Sequence, residues 1–241
     1  VAAKSTDTLS GCETAVKRYI PIIQRAFLKL FVTHKNFLCG FILDECTSDI
    51  QRFEVQPIID QIYQGMPAPK EVKPTLKSTY KILQVNDIHI DLEYLPGGEA
   101  NCKNGVVCCR ANKIPNGQSV KAGYWGTANG TCDLPQHTFW AFLNFAKSLN
   151  PDYVFWLGDN ENHEVDTIEF PTNVQTTSLI AKAMSDTFDK KKVFLAIGNH
   201  EQFPIDNINF DDPLQTEFFF HNLVGAYKPL LTRDELTQMH K

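Results

Sequence analysis

Val193-Phe194-Leu195-Ala196-Ile197-Gly198-Asn199-His200-Glu201 joins a short apolar, β-prone run directly to a glycine and three polar side chains. Two earlier runs end in the same way: residues 80–85 lead to Asp87-Ile88-His89, and residues 153–157 lead to Gly158-Asp159-Asn160. Runs of this length and composition read as strands of the buried type. Between them, residues 136–148 and 178–188 carry helical patterns. Strands alternating with helices predict an α/β domain, a parallel sheet with flanking helices, over residues 80–241. In such sheets the ligand site lies at the carboxyl ends of the strands, where all three motifs fall.

The side chains there suit metal ions. Carboxylate, imidazole and carboxamide hold pairs of divalent ions while leaving open positions for water and a phosphate. The candidate ligands are Asp87, His89, Asp159 and Asn199, with Asp159 as a carboxylate that bridges two ions. Asp87 and His89 are two residues apart at a strand end, so extended geometry sends both side chains the same way. Gly158 and Gly198 permit close backbone approach and leave the next residue on a tight turn. His163, four residues after Asp159, returns over the ions through a loop or a helical turn and serves as general acid for a leaving alkoxide. Otherwise it is a surface histidine near Glu161 and Glu164. His200 donates to a phosphoryl oxygen or relays a proton, or else supports a ligand structurally. Mixed nitrogen and oxygen ligands admit zinc, manganese or iron alike. Only His221 and His240 follow Glu201, and no His-x-His pair exists, so one wall of a dinuclear site is missing. His221, in the apolar stretch 218–224, reads as a helix residue rather than a substitute ligand.

Upstream, Cys12, Val16, Ile20, Ile23, Phe27 and Leu30 recur at three or four, the stripe of an amphipathic helix kinked or interrupted at Pro21. Residues 36–46 and 49–63 predict further short helices, making residues 1–64 an all-helical region too small to stand without staples. Cys39 and Cys46 lie nearly two helical turns apart, about 10 Å of rise, so they do not pair within one helix. Pro67, Pro69 and Pro74 with several charges mark residues 65–79 as an extended linker.

The net charge of -5 argues against a nucleic-acid partner. Residues 1–78 carry 10 Lys and Arg against 8 Asp and Glu, and residues 79–241 carry 13 against 20. The small excess upstream is a solvated surface, or else a weak attraction to anionic lipid. No stretch approaches the roughly 18 apolar residues that span a bilayer, and the first ten residues show no signal-peptide pattern. Seven cysteines and the glycosylation acceptor Asn129-Gly130-Thr131 favour an oxidising compartment. Cys102, Cys108, Cys109 and Cys132 form an even set, while Cys12, Cys39 and Cys46 form an odd one.

These motifs resemble the first three of the calcineurin-like metallophosphoesterases, and their surroundings resemble the acid sphingomyelinase-like phosphodiesterases. Asp159 with His163 is similar to that family's Gly-Asp-x-x-x-His. Cys108-Cys109-Arg110, Gly123-Tyr124-Trp125-Gly126 and Cys132-Asp133-Leu134-Pro135 resemble its insertion between the first strand and the first helix. The resemblance implies bridges Cys102–Cys108 and Cys109–Cys132. It also implies that Asp87, His89 and Asp159 hold one ion and that Asp159 and Asn199 hold the other, with zinc as the metal. Cys12, Cys39 and Cys46, at spacings of 27 and 34, resemble the second half of a saposin B-type domain that meets the membrane surface. The implied activity is hydrolysis of sphingomyelin to ceramide and phosphocholine by hydroxide formed through two-metal activation, with His163 or His200 protonating the leaving oxygen. The implied location is secreted or in an acidic, lysosomal lumen. On this resemblance the chain is a fragment truncated at both ends, lacking three histidine ligands and inactive alone. Alternatives are a nucleotide or other small-phosphodiester hydrolase of the same family, and a non-catalytic lipid-binding protein.

Overall fold

The computed structural model describes residues 6–33, 54–67, 79–103, 105–128, 130–165, 168–208, 210 and 212–239. It contains two compact units, residues 17–79 and residues 1–16 with 80–241. The expected helix 36–46, most of the linker, Cys39, Cys46 and Asn129 lie outside the described residues, as does the side chain of Cys12.

Helix α1 (Thr6–Thr33) continues through Pro21. The expected interruption is therefore absent, because one missing N–H removes a single rung and the turns on either side persist. Helix α2 (Val55–Tyr63) has no N-cap side-chain bond and buries none of its residues. Val16, Ile20, Ile23 and Phe27 on α1, and Val55, Ile58, Ile59 and Ile62 on α2, keep their three-and-four spacing but are exposed.

The larger unit is built on strands β1 (Ile82–Val85), β4 (Tyr153–Trp156) and β5 (Val193–Leu195). They form a parallel sheet in the order β1-β4-β5, with Val85 opposite Trp156 and Trp156 opposite Leu195. A second parallel pair joins β2 (Ile90–Asp91) to β3 (Leu134–Pro135). Parallel neighbours require crossovers, which helices α3 (Gln136–Ser148) and α4 (Phe170–Thr187) supply. Helices α5 (Pro213–Tyr227) and α6 (Arg233–Met239) follow, and α5 packs on α4. Asp212 caps α5, accepting the N–H groups of Leu214 and Gln215. His221 lies on α5, exposed.

One sheet face supplies the core. Val85, Val154 and Trp156 point into a cluster with Phe139, Leu143, Ile180, Met184, Leu223 and Tyr227. Alternation sends Ile82, Tyr153, Phe155 and Phe194 to the opposite face, where they are exposed among the described residues. The strands thus bury one face, where their apolar composition predicted burial on both.

Helix α4 begins eight residues before the predicted 178, with Pro171 in its first turn. Its inward positions include Asn173, Thr176 and Thr177 before Ile180, Ala181 and Met184. After Phe170 the inner stripe is polar from Asn173 to Thr177, which hides its periodicity from any hydrophobic pattern.

Candidate metal centre

The three strand ends converge by backbone bonds. After β1 the chain leaves extended geometry: Asp87 has φ 53° and His89 φ 39°. The reading of this pair as two pleated strand positions is therefore corrected, because β1 ends at Val85. The turn instead zips onto the loop after β4. Asp87, His89 and Ile90 donate their N–H groups to the carbonyls of Gly158, Asp159 and Asn160, at 3.3, 3.0 and 2.8 Å. Asp159 is also left-handed, φ 56°, following Gly158 at φ 81°. Such backbone is uncommon outside glycine and marks sites where surrounding bonds hold strain for a purpose.

Glycine is required where the loops after β4 and β5 touch. A β-carbon on Gly158 would collide with Gly198 and Glu201, and one on Gly198 would collide with Asp159. Glu201 joins these loops. Fully buried, its carboxylate accepts the N–H groups of Asp159 at 3.0 Å, Asn160 at 2.8 Å and Gly198 at 2.7 Å. Burial pushes the Glu201 carboxyl above its ordinary range, against the opposing pull of these bonds.

Asp87, His89 and Asp159 each place a ligand atom within 4.8 Å of the others. His89 Nδ1 lies 2.9 Å from the carbonyl of Glu161, so Nδ1 carries the proton and Nε2 is the ligand atom. Nε2 is 3.8 Å from Asp87 Oδ1. Asp159 Oδ1 accepts the N–H of His200 at 3.0 Å. Asn199 is exposed, and its Nδ2 donates to Asp206 Oδ1 at 2.6 Å, which leaves its own Oδ1 for an ion.

His89, His163 and His200 form a second group. Ring centroids are 4.0 Å apart for His89 and His163, 4.4 Å for His89 and His200, and 4.9 Å for His163 and His200. His163 reaches the group through an irregular loop, and its Nδ1 and N–H contact the two carboxylate oxygens of Asp133 at 2.8 and 2.7 Å. His200 is buried, and its Nδ1 has no partner among the described residues. Burial lowers its pKa, and the neighbouring His89 and His163 push the same way. The carboxylates of Asp87 and Asp159 gathered with the imidazole of His89, and the rings of His163 and His200 beside it, suit a divalent ion and its anionic ligand.

Around this centre, Cys102 is bonded to Cys108 and Cys109 to Cys132. Arg110 Nε reaches both oxygens of Asp91 at 3.1 and 2.9 Å, and its Nη1 lies 3.7 Å from Glu164. Asp133, Asp206, the Glu161 carbonyl and the Glu201 carboxylate were not identified as site residues from the sequence. Glu201 had a local signal in its place beside His200, and Asp133 stood in the Cys132-Asp133-Leu134-Pro135 stretch with no role assigned to it.

Residues 80–236 match the calcineurin-like phosphoesterase family. The chain belongs to the calcineurin-like phosphoesterases. It is 32% identical over 177 residues to the sphingomyelin phosphodiesterase B of Dictyostelium discoideum, covering 70% of this chain and 27% of that protein. It is 30% identical over 168 residues to the sphingomyelin phosphodiesterase of Homo sapiens, covering 65% of this chain and 25% of that one. A cyclic GMP-AMP phosphodiesterase of Bos taurus is 26% identical over 182 residues, 73% of this chain and 37% of its own. The chain spans about a quarter to a third of the length of these relatives.

Proposed function

We propose that the protein hydrolyses phosphodiesters at a two-metal centre and that its substrate is sphingomyelin, cleaved to ceramide and phosphocholine. The observation that carries the chemistry is the convergence of Asp87, His89 and Asp159 with the rings of His163 and His200. The similarity to sphingomyelin phosphodiesterases of two organisms supports the substrate. Asp87, His89 and Asp159 would hold one ion, and Asp159 with Asn199 would hold the other. The ions, zinc on this reading, would supply activation of water and neutralisation of phosphoryl charge.

The chain's own groups do the rest. Bonds from the Asp159 and Asn160 N–H groups to Glu201 keep the loop of the shared carboxylate against the loop of Asn199. His163 Nε2 gives its proton to the departing ceramide oxygen, and His200, whose ring lies 4.9 Å from that of His163, donates to a phosphoryl oxygen. Residues 1–64 act as a saposin-like lipid-contacting region followed by a linker at 65–79. The exposed apolar stripes of α1 and α2 support contact with a membrane surface. No helix among the described residues is long and apolar enough to cross a membrane. The two disulfides and the Asn129 acceptor support a secreted or lysosomal, acidic lumen.

A second reading, a cyclic dinucleotide or other small phosphodiester as substrate, is favoured by the similarity to the bovine cyclic GMP-AMP phosphodiesterase. The deciding experiment loads the complete protein carrying these residues with zinc. It then compares kcat/KM for sphingomyelin in mixed micelles, a cyclic dinucleotide and bis(4-nitrophenyl) phosphate. Sphingomyelin preferred over the dinucleotide supports the first reading, and the reverse order supports the second. Failure to cleave any of the three rejects both.

A further inference from the structure

Asp133 lies 30 positions from His163 in sequence, yet meets it twice. Its Oδ2 accepts the backbone N–H of His163 at 2.7 Å and its Oδ1 faces Nδ1 at 2.8 Å. The carboxylate is nearly covered, its side chain 11% exposed, while the imidazole it holds is 48% exposed. The ring lies against those of His89 and His200 with about half of it open, so the bond at Nδ1 sets its rotation while the backbone bond holds the loop that carries it.

The carboxylate is itself held from both sides. Cys132, the residue before it, is bonded to the buried Cys109. Leu134, the residue after it, donates its N–H to the carbonyl of His89 at 3.1 Å and pairs with Ile90 across the β2–β3 ladder. The segment carrying Asp133 is thus tied to the backbone of a candidate metal ligand on one side and to the disulfide-laced insertion on the other.

We propose that Asp133 is the positioning residue of His163 and that the insertion between β2 and β3 serves to present it. The inference rests on the phosphodiesterase reading above. The carboxylate accepts Nδ1–H and directs Nε2–H toward the substrate. In the hydrolysis the oxygen of water forms a new bond to phosphorus as the bond between phosphorus and the ester oxygen breaks, and the ester oxygen takes the Nε2 proton. The imidazole left behind is the neutral Nδ1–H tautomer that Asp133 selects. An Asp that only braced the loop would leave the chemistry of the leaving group unaffected.

The test uses the complete protein with Asp133→Asn, Asp133→Ala, Asp133→Glu, His163→Ala and the double variant Asp133→Ala/His163→Ala. Asp133→Asn and Asp133→Ala should lower kcat on the alkoxide substrate roughly 10–100-fold with KM nearly constant. They should cost less than about threefold on bis(4-nitrophenyl) phosphate, whose leaving group needs no proton. Asp133→Glu should restore part of the loss. In the His163→Ala background, Asp133→Ala should cost nothing further, since it acts through a ring no longer there. Equal losses on both substrates, additive losses in the double variant, or no loss would overturn the proposal. Imidazole 15N spectra judge it without turnover: His163 should be Nδ1-protonated in the parent and redistribute in Asp133→Ala. An unchanged tautomer overturns the proposal even if every substrate is refused, an outcome that separately rejects the phosphodiesterase reading.

Discussion

The carboxylate of Glu201 holds the backbone N–H of Asp159 at 3.0 Å, binding the loop after β5 to the loop after β4. The same side chain takes the N–H groups of Asn160 and Gly198. Three donors with no solvent to replace their acceptor make this contact costly to lose. Glu201→Ala should destabilise the domain by roughly 3 kcal/mol or more, and Glu201→Gln by less, since the amide keeps one acceptor oxygen. Urea unfolding of the two variants checks the order, and equal stability of Glu201→Ala and the parent would contradict it.

Glycine is required at the same junction. Gly158→Ala must place a side chain at φ 81° and against Gly198. A loss on the order of 1–3 kcal/mol, together with weaker metal binding, is expected from unfolding and metal titration.

Arg110 and Asp91 make the other buried contact of consequence, with side chains 10% and 0% exposed. Burial opposes the charge on each, and the bonds between them keep the guanidinium ionised. Arg110→Ala strips Asp91 of its counter-charge, leaving it the N–H of Glu93 at 2.9 Å, and should cost roughly 3–5 kcal/mol. A thermal or urea midpoint unchanged by this substitution would show that the pair is not buried as described.

Glu161 gives the pH dependence. Burial pushes its carboxyl above the ordinary range, and its Oε2 has no hydrogen-bond partner among the described residues. A carboxyl raised in the folded state contributes stability that is fully present below the unfolded value and lost as pH rises through the folded one. Glu161→Gln resembles the protonated acid at all pH values. Its stability relative to the parent should therefore rise from pH 4 to pH 7. Denaturant midpoints of both proteins across that range measure it, and a constant difference would contradict the assignment.

How much of this was legible in the sequence depended on distance along the chain. The bounds of α3 at residues 136 and 148 and the strands at 82–85, 153–156 and 193–195 follow from local apolar patterns. Asp87, His89 and Asp159 were legible because each directly follows such a strand. Their geometry was not, since left-handed φ angles at all three depend on the neighbouring loop rather than on local preference. Asp133 was hidden because its contact to His163 spans 30 positions. The first two turns of α4 were hidden because Asn173 and Thr177 face inward, toward the carbonyl of His200 and the side chain of Asn160, where a hydrophobic pattern expects apolar residues.

The central claim is that one carboxylate, Asp159, is shared by two ions. Metal content per chain, measured on the complete protein, its Asp159→Ala variant and its Asn199→Ala variant after equilibration with zinc, tests it most directly. The account predicts two ions in the parent, essentially none with Asp159→Ala, and one retained with Asn199→Ala. A folded Asp159→Ala variant that keeps both ions, or a parent that binds none, would contradict it.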